Sequence, residues 1–219
     1  MRVFVISDIH GNDELFRRSL KKVKLKKSDK LFILGDIIDR GKNSKGVLDT
    51  IFLLLDSGFD IECVKGNHEQ MFLDSFSDNN MFNQWMLNGG DKTLMSFLTN
   101  SIHRIPTKYV NFIKSFKNHI EFKNFILVHA ALNMNIENPF SDIQTILWER
   151  KPENFLNKNW LKDRILIHGH TPKSKEFIIN SIKNNDSIIC IDNGNFLQRE
   201  DYGSLAIINL ENLDIEFTK

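Results

Sequence analysis

The chain repeats one local pattern five times: a short apolar run followed by a loop carrying carboxylate, imidazole or amide side chains. After Leu31 to Leu34 comes Gly35-Asp36-Ile37-Ile38-Asp39-Arg40-Gly41, which packs two carboxylates and a guanidinium between two glycines. Ser7-Asp8-Ile9-His10-Gly11-Asn12 follows Arg2 to Ile6, and Lys65-Gly66-Asn67-His68-Glu69 follows Ile61 to Val64. Val128-His129-Ala130 and His168-Gly169-His170-Thr171 end two further runs. A packed core has no use for such clusters, because an unpaired buried charge is strongly destabilising. One loop of this kind reads as a solvated turn. Five of them at strand ends read as a metal site along one edge of an α/β sheet.

The length, 219 residues, is enough for one domain with a sizeable core, and a single domain over 1–219 is expected. Formal net charge is +1, with acids and bases mixed along the chain, so no nucleic-acid partner is expected. The lysines between Lys21 and Lys27 lie on or just after an amphipathic stretch and read as a solvated face. Cys63 and Cys190 sit inside apolar runs without CxxC spacing, as buried free thiols do. No apolar run reaches the roughly 18 residues of a membrane span, and no leader precedes the first strand. The expectation is a cytoplasmic protein without a membrane partner.

In chain order, Asn12 reads as the N-cap of a helix in which Phe16, Leu20 and Val23 recur at helical spacing. Val47, Leu48, Ile51, Leu54 and Leu55 make a second amphipathic helix, with Gly58 at its end. The order strand-helix-strand-helix-strand, with polar loops after the strands, predicts a parallel α/β sheet. Residues 69–118 read as mostly helical, with Trp85, Met86 and Leu87 as core residues. Residues 133–163 read as a long loop with a short helix. Strands are expected near Phe125 to Val128, Arg164 to Ile167, Glu176 to Ile179, Ser187 to Ile191, Ser204 to Ile208 and Asp214 to Phe217. An α/β start and a β-rich end suggest a second sheet packed on the first.

These residues resemble the calcineurin-like metallophosphoesterases, and within them the PPP-type protein serine/threonine phosphatases. The family pattern GDxHG, GDxxDRG, GNHE, HA and a late GH is matched by Ser7 to Gly11, Gly35 to Gly41, Gly66 to Glu69, His129-Ala130 and Gly169-His170. Glu69-Gln70-Met71, Trp85 through Asn88-Gly89-Gly90, Leu147-Trp148-Glu149-Arg150 and Ile191-Asp192-Asn193-Gly194 look like the bacterial and bacteriophage lambda branch. Ser7, Lys65 and Ala131 depart from the usual Gly, Arg and Gly; Lys65 is the change expected to alter contacts beside the substrate.

The resemblance implies two mixed β-sheets packed as a sandwich and flanked by helices. It implies two divalent metal ions, with Mn²⁺ favoured over Fe or Zn²⁺. Asp8, His10 and Asp36 would hold one ion, with Asp36 bridging to a second completed by Asn67, His129 and His170. A metal-bridging hydroxide would attack the phosphoryl group directly. His68 would be the general acid and Asp39 its orienting partner, while Arg40 and Arg150 would grip phosphate oxygens. Both His168 and His170 follow the same strand and spacing does not choose between them. The family register assigns the metal role to His170, with Gly169 expected to supply the tight turn. The expected activity is hydrolysis of phosphoserine or phosphothreonine in a phosphorylated protein, or of a small phosphate ester. The alternative is a dinucleoside polyphosphate hydrolase of the same superfamily, against which His10 weighs because its symmetrical bacterial enzymes tend to carry Gln there. A scaffold without turnover is disfavoured by the complete ligand set.

Overall fold

The computed structural model describes residues 1–219. Nine strands form two mixed sheets. The first contains β1 (Val3–Ile6), β2 (Lys30–Ile33), β3 (Asp60–Cys63), β8 (Leu205–Asn209) and β9 (Ile215–Thr218), in the order β3-β2-β1-β8-β9. The second contains β4 (His119–Phe122), β5 (Phe125–Val128), β6 (Ile165–His168) and β7 (Ile188–Cys190), in that order. Nine α-helices connect them: α1 (Asp13–Lys22), α2 (Ser44–Asp56), α3 (Asn67–Asp74), α4 (Asn79–Trp85), α5 (Asp91–Ser96), α6 (Thr107–Lys114), α7 (Ile143–Trp148), α8 (Lys158–Leu161) and α9 (Lys175–Lys183). None is long and apolar enough to cross a membrane.

Period-two alternation decides how the layers stack. Along β1, Val3 and Val5 join the cluster between the sheets, while Phe4 and Ile6 join the larger cluster under the helices. Along β2 the same split puts Phe32 and Leu34 between the sheets and Leu31 and Ile33 under the helices. In the second sheet Phe125, Leu127 and Ile167 face the first sheet, while Ile126, Val128 and Leu166 pack outward against Ile146, Leu147 and Leu161. The inner strands β1, β2, β5 and β6 are therefore buried on both faces. Each fully buried side chain of this size stabilises by roughly 1.5–3 kcal/mol relative to exposure.

Register then gathers the strand tips. Ile6 pairs with Ile33 and Ile33 with Cys63 in the parallel ladders, so three ligand-bearing loops leave the first sheet side by side. Leu127 pairs with Ile167, which pairs with Ile189, and this aligns the tips of the second sheet. The His129 Nδ1–H donates to the Leu34 carbonyl at 2.8 Å and ties the two edges together.

Two elements differ from the sequence reading. Glu176 to Ile179 belongs to helix α9, not to a strand. Phe177, Ile178 and Ile179 suit a strand in isolation, but Ser174 caps the helix at Phe177 N (3.1 Å) and Ile178 and Ser181 bury at helical spacing. Parallel β6 and β7 also need a crossover, which α9 provides. Strand β4 went unread. It is a short edge strand, paired antiparallel with β5 through a tight turn at Lys123 (φ 53°), and Glu121 is exposed. The long stretch 133–163 holds two short α-helices, α7 and α8, rather than one.

Candidate metal centre and active site

The turning of the strand-tip loops is visible in the backbone. His10, Asp36, Asp39, Arg40 and His170 all take positive φ, between 46° and 69°. Such conformations cost a non-glycine residue on the order of 1–3 kcal/mol and persist only when the surroundings over-determine them. Glu69 does much of that work. Its buried carboxylate accepts the N–H groups of Asp36 (2.7 Å), Ile37 (2.8 Å), Ile38 (3.3 Å) and Gly66 (3.0 Å), locking the β2 loop against the start of α3. Burial pushes the Glu69 carboxyl above its ordinary range, and the nearby His129 and these N–H groups oppose it.

Asp36 lies at the centre, 2% exposed. Its Oδ2 is 3.5 Å from His10 Nε2, and its Oδ1 is 3.5 Å from His129 Nε2. The two oxygens thus face two separate groups of donors. On the second side, Asn67 Oδ1 lies 2.9 Å from His129 Nε2 and 3.1 Å from His170 Nδ1, and the two ring nitrogens are 3.2 Å apart. Burial drives Asp36 well above the ordinary carboxylate range, while it drives His10 and His170 below the histidine range. For His170 the neighbouring His129 and the Arg150 guanidinium add to that push. A divalent cation among them would reverse that balance, because it binds the ionised carboxylate and the neutral imidazoles.

The ring nitrogens agree. His68 Nε2 and His170 Nε2 are buried without a hydrogen-bond partner. His10, Asp36 and His68 place one donor atom each within 4.8 Å of one another, and so do Asp36, His129 and His170. A mixed imidazole, carboxylate and amide set of this kind suits first-row divalent ions. The residues fit the two metals.

Asp8 falls outside both of those groups. Its carboxylate accepts the Ser7 hydroxyl and the His170 N–H (3.1 and 3.2 Å), so it braces the loop that carries His170. Gly169 stands against it, where a Cβ would overlap the Asp8 carboxylate. This corrects the expectation for Gly169. The left-handed residue of this turn is His170 itself, and the glycine is there for close approach. His168 points elsewhere, its Nδ1–H donating to the Gly169 carbonyl at 3.0 Å, and burial lowers its pKa to about 4.

His68 is fully buried and shares a 2.8 Å hydrogen bond with Asp39 through Nδ1. Burial opposes its charging, but Asp36 and Asp39 outweigh that and raise its pKa above the ordinary histidine value. Its Nε2 lies 3.9 Å from Asp36 Oδ2. Arg40 is exposed, with Nη1 3.0 Å from His10 Nε2 and its guanidinium 4.5 Å over the Phe196 ring. Arg150 is exposed on the loop after α7, near enough for its charge to act on His170. Lys65 turns to Gln70 Oε1 at 3.4 Å.

Sequence reasoning overlooked several contributors. Phe196 stands edge-on to His10 at 5.1 Å, and Asn195 donates its side-chain N–H to the Asp8 carbonyl. Trp85, read as core, also donates its indole N–H to Asp39. The Asn193-Gly194 turn that delivers Asn195 and Phe196 was visible in the sequence; which side chains it would aim at the site was not.

Two mixed β-sheets whose tips gather carboxylate, imidazole and amide donors define a candidate two-metal centre. The chain belongs to the calcineurin-like phosphoesterase family, which it matches over residues 1–205. That family hydrolyses phosphate esters with two divalent metals. The chain is 39% identical over 90 residues to serine/threonine-protein phosphatase 1 of Salmonella typhimurium, covering 41% of this chain and 39% of that protein. It is 28% identical over 179 residues to the symmetrical bis(5'-nucleosyl)-tetraphosphatase of Psychromonas ingrahamii, covering 80% of this chain and 59% of that one. A protein serine/threonine phosphatase from Saccharomyces cerevisiae shares the fold, with TM-score 0.69 over 100% of this chain and 80% of that one at 15% identity.

Proposed function

We propose that the protein is a dinuclear-metal phosphomonoesterase that removes phosphate from phosphoserine or phosphothreonine in protein substrates. The observation that carries this is the division of Asp36, one oxygen toward His10 and the other toward His129, beside a buried His68 with a free Nε2. In this reading Asp8, His10 and Asp36 hold one ion, and Asp36, Asn67, His129 and His170 hold the other. Two divalent ions there, with Mn²⁺ the proposed pair, supply an activated water and neutralise phosphoryl charge.

The chain's own groups do the rest. Arg40 and Arg150 bind the non-bridging phosphate oxygens, a task suited to the forked guanidinium. His68 carries a proton on Nε2 and gives it to the leaving serine or threonine oxygen as the P–O bond breaks. Asp39 accepts the Nδ1–H bond that keeps the ring facing the site. Asp8 holds the His170 loop in place through that residue's N–H. The products are the free alcohol and inorganic phosphate.

A second reading is a dinucleoside polyphosphate hydrolase. It is favoured by the similarity to the tetraphosphatase, which extends over 80% of this chain against 41% for the serine/threonine phosphatase. The test compares kcat/KM of the purified Mn²⁺-loaded protein for a phosphoserine peptide, diadenosine tetraphosphate and p-nitrophenyl phosphate. The peptide is expected to be turned over best, and activity should vanish on chelation and return with Mn²⁺. Preference for the dinucleotide would replace the first reading with the second. Full turnover after exhaustive metal stripping would overturn both.

A further inference from the structure

The carboxylate of Asp39 is entirely buried and entirely partnered. Trp85 Nε1–H donates to both its oxygens, at 3.1 and 2.9 Å, and the Thr93 hydroxyl donates to Oδ1 at 2.6 Å. His68 Nδ1–H takes a remaining site on Oδ2 at 2.8 Å. The Asp39 N–H is shared by Ser44 Oγ and Thr93 Oγ1, both at 3.0 Å, and these two hydroxyls are 2.9 Å apart. Proton accounting allows one arrangement. Thr93 spends its hydroxyl proton on Asp39, so Ser44 donates to Thr93.

Trp85 and Thr93 flank the turn Asn88-Gly89-Gly90. A Cβ at Gly90 would overlap the indole, and a Cβ at Gly89 would collide with the Arg40 backbone. Phe72 packs on the indole at 5.4 Å. Elsewhere this segment meets solvent: Leu87, expected in the core from the sequence, is largely exposed, as is Met95.

We infer that Trp85 and Thr93 form a clamp on Asp39 and are positioning residues for proton donation by His68. The inference rests on the general-acid reading of His68 and extends it. With its lone pairs filled from three directions, the carboxylate has one orientation, and the imidazole bonded to it has one too. A buried indole N–H needs an acceptor in any case; here that acceptor is the carboxylate bonded to His68.

The test uses Trp85→Phe, Thr93→Val and Thr93→Ser, each alone and combined with His68→Asn, in Mn²⁺-loaded full-length protein. Thr93→Val and Trp85→Phe should lower kcat on the phosphoserine peptide roughly ten- to a hundredfold, as loss of one hydrogen bond to a buried charge implies. The loss should be much smaller on p-nitrophenyl phosphate, whose leaving group needs little protonation. Thr93→Ser should restore the wild-type rate. In the His68→Asn background neither clamp variant should cause further loss, since the residue they position is gone. In the same proteins loaded with diamagnetic Zn²⁺, a proton NMR resonance from His68 Nδ1–H, read without turnover, should move in Thr93→Val and return in Thr93→Ser. Equal losses on both substrates, or full additivity with His68→Asn, would reduce the clamp to a packing element. If Thr93→Val does not fold, Trp85→Phe decides on the same criteria. A His68→Asn variant that loses both substrates equally would instead overturn the general-acid reading itself.

Discussion

Arg40 takes φ 64° and rests its N–H on the Gly89 carbonyl at 3.3 Å, so its place depends on a residue 49 positions away in sequence that has no side chain. Gly89 itself has φ 102°, and a Cβ there would lie 2.7 Å from the Arg40 nitrogen. Gly89→Ala is therefore expected to act at a distance from the metals. Strain at this φ should cost about 1 kcal/mol or more of stability. The shift in Arg40 should raise KM and weaken inhibition by inorganic phosphate, with Mn²⁺ affinity unchanged. Isothermal titration of Mn²⁺ beside phosphate inhibition kinetics checks this; a loss of metal binding without a change in phosphate affinity would contradict it. At this scale, the residues that could be read were those whose type announces a role. Asp36, Asn67, His129 and His170 stand together in space as their motifs suggested. Trp85 was read as core because an indole in an apolar stretch gives no sign that its N–H faces a carboxylate. Thr93 gave none either, since a lone hydroxyl among helical residues has many uses. Glu69 was legible as part of a motif, but its four backbone N–H partners follow from tertiary closure of two loops, which no local spacing contains.

Among the elements, the parallel strands and the helices between them were legible because periods of two and 3.6 survive in windows of several residues. Short pieces were not. Strand β4 has four residues on a sheet edge, and α9 was mistaken over the four residues in which its β-branched and aromatic content is highest. What resolves both is pairing with chain far away in sequence. The start of β1 shows a similar long-range dependence. Arg2 donates to Asp29 Oδ1 at 3.2 Å and Oδ2 at 2.6 Å, and to the Val23 and Lys24 carbonyls, pinning β1 to the turn between α1 and β2. Burial works against ionised Asp29, but Arg2 and the Lys26 N–H outweigh it and hold the carboxyl below its ordinary value. A carboxylate depressed in the native state stabilises fully above its unfolded pKa, near 4, and loses that contribution as pH falls through the lower native value. Urea unfolding across that acid window should show a steeper loss of stability for the wild type than for Asp29→Asn. Identical pH slopes would mean that this pair adds nothing to acid stability.

For the molecule as a whole, the sandwich follows from which side chains alternate, and that much was readable: an α/β opening, a β-rich close and two sheets between them. The strand order was not readable, because it depends on where the last strands go. β8 enters beside β1, pairing Phe4 with Asn209 and Ile6 with Ile207, and β9 covers the new edge. Residues 1–203 alone should leave β1 with an open edge of apolar strand, an invitation to pair with other chains. Size-exclusion chromatography of that fragment should show oligomers, and thermal unfolding should lose its cooperative transition; a monomer with a sharp transition would refute this. The same pairing sets a timetable for biosynthesis. A ribosome delivers β8 long after β1, so Asp8, carried on the tip of β1, waits for the strand and the Asn195 amide that steady it. Metal uptake into a finished centre thus follows the synthesis of β8, and any helper that guards this chain until then has one edge to shield.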